Sequence, residues 1–384
     1  MHKLMGHRRL QLAWRTAGLA CMAALLAGVF LGIGEWYKHN LNENKTIVLD
    51  KSLFREQTNS FFSMDSIVKR HTLEPIREAK LLDGDQLLII TENKQKRMAS
   101  LSTLDLATNR VESVLQETNL ENLTVSPNGT RLVFDAVRTD GRQTVAYDLN
   151  TRSEIGSWNN GGAWPILLDD YRYVDLDQHN LRFLSIAPDD IVFSISLKAL
   201  EQYKINAVPG IQIDTALVKG IKPSLDSQQV YMQFYLPEHS KSVLLSINRV
   251  NRTMTWIASG DIMNFVPIDN DRVLIYGRFA GVEGLYSAVG LDKITPLSEG
   301  SFNHLTFNPT RNAISYANQT EDGRWKVIAA KLDTNGLSDE FTVYSDPGYV
   351  RSLQWSPDGT ALICISEGIS GSDIYQFRLS RSDS

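Results

Sequence analysis

Short apolar runs separated by turn-forming residues recur along most of this chain. The clearest example lies near the C-terminus, where Trp355 is followed by Ser-Pro-Asp-Gly at 356–359 and then by an apolar run at 362–365. Proline presets φ for a tight turn, aspartate bonds to the backbone that follows it, and glycine accepts positive φ. The pattern therefore predicts a strand, a tight turn and a second strand.

The same hairpin pattern occurs at six earlier places. The aligned turn residues stand at positions 84, 129, 170, 227, 270, 311 and 359, which are 41 to 57 residues apart. Such spacing is typical of a repeating unit of four short strands. In the second unit, the runs 143–149 and 154–158 supply the predicted third and fourth strands. Beyond residue 75 we expect a helix only at 197–203.

The last unit lacks a fourth strand, because only five residues follow its third apolar run at 374–379. The β-branched run 46–49 lies before the first unit, and we expect it to supply the missing outer strand. This pairing would close the units into a ring and remove exposed sheet edges. Residues 51–73, which are rich in phenylalanine, are expected to form a helix, either as a cap over one face or as a docking helix for a partner.

The turn sequences resemble a known family of repeats. Ser-Pro-Asp-Gly at 356–359 and Ser-Pro-Asn-Gly at 126–129 are similar to the repeats of TolB-like propellers, also called PD40 or WD40-like repeats. The resemblance covers residues 75–380 and implies an all-β fold, a seven-bladed β-propeller. Six blades, with the weak third unit as an insertion, is the alternative. The family includes periplasmic binding partners, propellers attached to serine peptidases and oligogalacturonate lyases, so the fold does not choose the function.

An uncharged run of 19 residues occupies positions 16–34. As a helix it would be about 28 Å long, close to the hydrocarbon thickness of a bilayer. Trp14 and Trp36 flank it, four basic residues precede it, and only Lys38 follows it closely. These features predict a transmembrane helix with the N-terminus in the cytoplasm and the repeats outside. A cleaved signal peptide is the alternative.

Charge and cysteine content agree with an exported body. Residues 41–384 carry 34 basic and 43 acidic residues, a formal charge of −9, which argues against nucleic acid or an anionic lipid surface as a partner. Cys21 lies in the apolar helix and Cys364 in a predicted strand, so no disulfide is expected between them. The predicted organisation is a cytoplasmic tail at 1–15, a transmembrane helix at 16–34, a linker with the closing strand at 35–73 and the propeller at 74–384.

Three histidines lie within the repeats, at His179, His239 and His304. In the implied propeller, His179 and His239 fall in turns between second and third strands, while His304 opens an innermost strand on the same face. In the lyase branch of the family, histidines on one face hold a metal, so these three are the candidate ligands. A shared ion is disfavoured, because the turn histidines belong at the rim and His304 near the axis.

No other sequence pattern indicates catalysis. There is no Gly-x-Ser-x-Gly elbow, and the glycine-serine cluster at 368–372 lacks the lysine of a phosphate-binding loop. We therefore expect a membrane-anchored, extracytoplasmic propeller that binds a protein or envelope component, with no catalytic residue and no cofactor. The alternatives are a metal-assisted polysaccharide lyase or hydrolase that uses the central funnel, and a ligand-sensing ectodomain that works with a partner.

Overall fold

The computed structural model describes residues 46–49, 61–93, 98–159, 163–177, 180–186, 191–196, 217–237, 240–290, 293–368 and 371–381. The chain divides into Met1–Lys45 and Thr46–Ser384, and all described residues belong to the second unit. Across the described ranges there is no α-helix, and hence none that is long and apolar enough to cross a bilayer. The helices expected at 16–34 and 197–203 lie outside these ranges.

The described residues form 28 β-strands. In chain order they are β1 (Thr46–Leu49), β2 (Phe62–Thr72), β3 (Ile76–Leu81), β4 (Gln86–Asn93), β5 (Met98–Asp105), β6 (Val111–Glu117), β7 (Asn119–Val125), β8 (Arg131–Arg138), β9 (Gly141–Asp148), β10 (Ser153–Asn159), β11 (Ala163–Leu167), β12 (Arg172–Asp177), β13 (Asn180–Ser185), β14 (Ile191–Ser196), β15 (Leu217–Pro223), β16 (Gln229–Leu236), β17 (Lys241–Asn248), β18 (Met254–Pro267), β19 (Arg272–Phe279), β20 (Val282–Val289), β21 (Ile294–Glu299), β22 (Asn303–Asn308), β23 (Ala313–Gln319), β24 (Trp325–Asp333), β25 (Gly336–Ser345), β26 (Tyr349–Trp355), β27 (Ala361–Gly368) and β28 (Gly371–Arg381).

Antiparallel pairing joins the described strands into six sheets. Four sheets contain four consecutive strands each: β3–β6, β7–β10, β11–β14 and β22–β25. A fifth sheet runs from β15 to β21, and its long strand β18 serves both halves, because residues 254–260 pair with β17 and residues 261–267 with β19. The sixth has the order β1, β2, β28, β27, β26. The hairpins expected around the aligned turns are confirmed.

The sheets are arranged in a ring. β3 contacts β7, and the contacts continue in the same way from β7 to β11, β15, β18, β22 and β26. β26 then contacts β3 and completes the circle. The strands that make these contacts are therefore the innermost strands of their sheets. Apolar side chains fill the space between neighbouring sheets. The weak third repeat forms its own sheet, β11–β14, within this circle.

A strand from before the repeats completes the last sheet. β2 pairs with β28 from Phe62 opposite Arg381 to Thr72 opposite Ser372. β1 lies outside β2 and pairs with it, so the run 46–49 belongs to this sheet as its outermost strand. The expectation that 46–49 supplies an outer strand of the last sheet is therefore confirmed, although β2 lies between it and the third strand, β28.

The helix expected within 51–73 is corrected, because its described part from Phe62 onward is strand β2. A β-bulge between Met64 and Ser66 moves the buried face along by one residue. The bulge explains why residues 62, 64 and 67 share one buried face, whereas Arg70 is buried on the opposite face of the strand. The ring thus includes residues that the sequence reading assigned to a linker at 35–73.

The residues used to align the repeats have a structural role. In four of the turns, the carbonyl oxygen at the aligned position accepts a hydrogen bond from a side chain of the preceding unit. The pairs are Gln376 with Gly84 (3.0 Å), Arg131 with Asp170 (2.6 Å), Tyr231 with Asn270 (3.0 Å) and Asn308 with Gly359 (3.0 Å). The tight turn therefore both reverses the chain and fastens neighbouring units together.

Replacement of two turn glycines tests this contact. Gly359 and Gly281 have φ of +72° and +85°, so alanine at either position costs about 1 kcal/mol or more in backbone strain. At Gly359 an added Cβ would also lie 2.6 Å from Oδ1 of the buried Asn308, whereas at Gly281 nothing lies within 4 Å. Urea unfolding should show that Gly359→Ala lowers the free energy of unfolding by about 1 to 3 kcal/mol more than Gly281→Ala. Equal losses would contradict the role of the turn between units.

Candidate functional site in the central channel

The innermost strands share one pattern of side-chain burial. One position just before each tight turn is half-buried in every unit, and we call these seven residues the channel ring: Lys80, Thr124, Ile166, Lys222, Val266, Thr306 and Gln354. The residue before each of them is buried: Ala79, Leu123, Pro165, Ile221, Phe265, Leu305 and Leu353. Because side chains alternate along a strand, the buried set packs between the sheets and the channel ring faces the middle of the circle.

Each innermost strand also contains a β-bulge close to the channel ring. The register shifts occur at 76/78, 121/124, 163/166, 218/220, 262/264, 303/306 and 350/352. A bulge turns a side chain away from the regular pleat. Asn122 and His304 occupy two of these bulges with positive φ, +55° and +54°. The wall of the channel is therefore shaped by the same irregularity in every unit.

Channel-ring side chains bind the backbone of the neighbouring innermost strand. The amide of Gln354 donates to the carbonyl of Ala79 at 2.7 Å, and its oxygen accepts from the N–H of Leu81 at 3.2 Å. The hydroxyl oxygen of Thr124 accepts from the N–H of Leu167 at 3.2 Å. These bonds run from one unit to the next, so they fix the positions of the polar groups in the wall.

Glu78 lies two residues before Lys80 on the same face of β3. Its Oε1 accepts from the N–H of Asn122 at 2.9 Å, and its Oε2 accepts from the N–H of Leu123 at 2.8 Å. Both carboxylate oxygens are thus bound to fixed backbone donors on β7. Glu78 holds two innermost strands together, and no proton transfer is needed for that role.

The two lysines of the channel ring differ in their bonding. The ammonium of Lys222 donates to Oδ1 of Asn264 at 3.0 Å and to the carbonyl of Phe265 at 2.6 Å, both on β18. Within the described part of the chain, the ammonium of Lys80 has no hydrogen-bond acceptor, although Glu78 attracts it electrostatically. Lys80 is therefore the less firmly held of the two charges.

Both lysines belong to the channel ring, and the positive charge of Lys80 disfavours the charged form of Lys222. Their strands, β3 and β15, are not neighbours in the ring, so the repulsion acts across its middle. Burial and then the charge of Lys80 lower the pKa of Lys222 from 10.5 to about 8. Burial also lowers the pKa of Lys80, and the charge of Glu78 opposes this change.

Three further cationic side chains lie on the innermost strands, each three residues before a member of the channel ring. Arg77, Lys219 and Arg351 are exposed there. Arg77 donates to Asn119 at 2.5 Å, Arg351 pairs with Glu367, and Lys219 lies over the ring of Tyr235 at 5.5 Å. A body of net charge −9 thus concentrates positive charge around its channel. Such an arrangement attracts anions toward the axis.

His304 is the one candidate metal ligand from the sequence that the structure describes. It lies half-buried on innermost strand β22, with its ring centroid 6.3 Å from that of Trp325. Burial lowers its pKa, and a hydrogen bond with the backbone of Val350 opposes that shift. His179 and His239 lie outside the described residues, so their distance from His304 stays a prediction. Elsewhere in the described ranges, no three His, Cys, Asp or Glu side chains cluster as metal ligands would.

Sequence reasoning missed the two channel lysines. The sequence offers no consistent signal for them, because they stand at different distances from the aligned turn residues, four residues before position 84 and five before position 227. Cys364, in contrast, lies where the sequence placed it, on buried strand β27, and burial raises the pKa of its thiol. It is an inert part of the core.

The structure is similar to solved β-propellers. It matches the β-propeller domain of the Trilobed protease from Pyrococcus furiosus with a TM-score of 0.57 and 8% identity over 81% of this chain and 98% of that one. The Cps50 (Swd1) β-propeller domain from Myceliophteria thermophila gives 0.55 and 11%, with the same coverage. Oligogalacturonate lyase from Vibrio parahaemolyticus gives 0.50 and 11% over 76% of this chain and 78% of that one.

No family model and no curated protein matches the sequence. Identities this low establish the fold alone, and they confirm the β-propeller that the TolB-like and WD40-like repeats implied. A lyase stands among the similar structures beside the β-propeller domain of a protease. The fold therefore does not decide between binding and catalysis.

The proximity of the two lysines can be measured directly. In Lys80→Met the repulsion is absent, so the pKa of Lys222 should rise above about 8 in NMR titrations of 13C-labelled lysine side chains, but it should stay below 10.5 because burial, the larger cause, remains. Lys331→Met, on β24, is the control and should leave the pKa of Lys222 unchanged, because Lys331 pairs with Asp333 on the same strand. An unchanged Lys222 pKa in Lys80→Met would show that the lysines do not face each other.

The same shift predicts a pH dependence of stability. Between about pH 8 and 10.5 the unfolded chain keeps the Lys222 proton that the folded chain has lost, so the free energy of unfolding gains a contribution that rises with pH. Lys222→Met should lack this part of the rise in urea unfolding.

Proposed function

We propose that this protein is a membrane-anchored, extracytoplasmic propeller of seven blades that binds a protein or cell-envelope component without catalysing a reaction on it. The closed circle of seven innermost strands, in which β18 serves as the fifth, supports the blade number. The uncharged run 16–34 and the basic residues before it support the anchor and its orientation.

The bonding of the channel wall is the observation that favours binding over catalysis. Glu78 uses both carboxylate oxygens to hold β7, and Gln354 uses both ends of its amide to hold β3. A general acid or base must exchange its proton with a substrate. These groups instead hold neighbouring innermost strands together, which makes the wall rigid, as a binding site requires.

A polysaccharide lyase or hydrolase that works in the channel is the second candidate. It is favoured by the lowered pKa of Lys222, about 8, because a lysine that loses its proton near neutral pH is a candidate general base. It is weakened by the two hydrogen bonds that Lys222 donates to Asn264 and Phe265, since these stabilise the charged ammonium. Release of sugar products by the purified chain, abolished in Lys222→Met, would favour this candidate.

The proposed topology has a direct test. The full chain, tagged at each end, should leave its C-terminal tag open to added protease and its N-terminal tag protected in sealed right-side-out vesicles. An alkaline wash should not release the chain, because a transmembrane helix resists it. Loss of the N-terminal tag during export would instead support a cleaved signal peptide.

A photo-crosslinking residue at two matched positions tests the binding role. Tyr349 begins innermost strand β26 and is 52% exposed, whereas Val111 begins outer strand β6 and is 50% exposed. We expect a discrete crosslinked partner from position 349 in intact membranes, because it lies beside the channel, and none from position 111. The same product from both positions, or from 111 alone, would contradict binding at the channel.

A further inference from the structure

We propose that the central channel binds an oxyanion of the ligand, a carboxylate or a phosphate group, between the ammonium groups of Lys80 and Lys222. This inference rests on the proposed binding function and specifies the chemistry of what is bound. It concerns one site, at the level of the channel ring.

The geometry of the ring brings these two charges together. Lys80 pairs with Leu88 and Lys222 with Tyr231, which are equivalent places in the first and fourth units. Both side chains therefore enter the channel at the same depth and from different sides. Two like charges held in this way raise the energy of the folded chain, and an anion between them offsets that cost.

Hydrogen-bond donors also remain at this level. Lys80 has no acceptor among the described residues, and Lys222 uses two of its three N–H groups on Asn264 and Phe265. The hydroxyl oxygen of Thr124 accepts a hydrogen bond from the N–H of Leu167. The hydroxyl hydrogen of Thr124 is not used in that bond and can be donated to a ligand. Charge-assisted bonds from such donors to an oxyanion are stronger than neutral ones.

The carboxylates of the chain do not neutralise the pair. Glu78 is the acidic group that attracts Lys80, but both of its oxygens accept from β7. Glu121, farther along β7, is engaged by Arg142 at 3.5 Å. One engaged carboxylate therefore stands against two ammonium groups, and burial lowers the pKa of His304 on β22, which favours its uncharged form.

Exposed cations around the axis extend the same preference outward. Arg77, Lys219 and Arg351 belong to innermost strands. With Lys80 and Lys222 they outnumber the acidic side chains of those strands, which are Glu78, Glu121 and Asp261, so positive charge prevails around the channel. The rest of the body is acidic and repels an anion. Electrostatic steering of this kind raises association rates and falls with salt.

The test is a titration of the full detergent-purified chain with two probes. Inorganic phosphate represents a free anion, and polyglutamate represents carboxylates carried on a polymer. We expect at least one probe to bind, with affinity about tenfold lower or more in both Lys80→Met and Lys222→Met. Lys331→Met, whose lysine pairs with Asp333 outside the channel, should bind as the unmodified chain does. Binding of phosphate alone assigns a free anion, and binding of polyglutamate alone assigns a group on a macromolecule.

Two further measurements distinguish anion binding by the lysines from a purely structural role: a charge-conserving variant and the pH dependence of affinity. Lys80→Arg keeps the charge and should retain binding within a few-fold, whereas Lys80→Met should not. Affinity should also fall as the pH rises through about 8, where Lys222 loses its proton and with it one of the two positive charges. Far-ultraviolet circular dichroism establishes that each variant is folded.

Two results would overturn the inference. Equal affinity in the unmodified chain and in both lysine-to-methionine variants would place the anion on another surface. Failure of both probes to bind the folded chain at neutral pH would remove the site itself. If the crosslink from position 349 persists in that case, the binding function stands and only the ligand chemistry is wrong.

Discussion

The pairing of β2 with β28 is the constraint on which the rest of this structure depends. Each repeat contributes its own strands, but the last lacks one, and the chain supplies it from a segment more than 300 positions away. The pairing buries Phe62 and Ile67 against the neighbouring sheet, where Phe62 stacks on Phe341 at 6.0 Å. Without it, β28 would have a free edge.

Closure of the ring explains why the channel can be a site. Side chains of Gln354 and Thr124 bond across from one innermost strand to the next, and such bonds keep their geometry only in a ring that does not open. The turn contacts, such as that of Asn308 with Gly359, hold the opposite ends of the same strands. The stability of the surrounding sheets can then offset the electrostatic repulsion between the two lysines. A site that stores repulsion in this way is suited to an oppositely charged ligand.

The repeats could be predicted from sequence because a tight turn is a local feature. Glycine at 359 and proline at 357 act through their own φ preferences, so hairpins and their spacing were correctly expected. The segment that forms β2 was expected to be a helix, because the bulge after Met64 interrupts the alternation of side chains by which a strand is recognised. The channel lysines escaped notice for a different reason. Lys80 and Lys222 become neighbours only through closure of the whole ring, and no local pattern records a contact of that range.

Native-state hydrogen exchange across the last sheet tests the central claim most directly. If β2 closes the ring, the central amides of Phe62–Thr72 should be as strongly protected as those of β28 in Gly371–Arg381, because paired strands open together. Protection should be lost in both segments at the same denaturant concentration. Exchange of Phe62–Thr72 at the rate of an unstructured peptide, while β26–β28 stay protected, would show that the ring is not closed by this strand and would contradict the account.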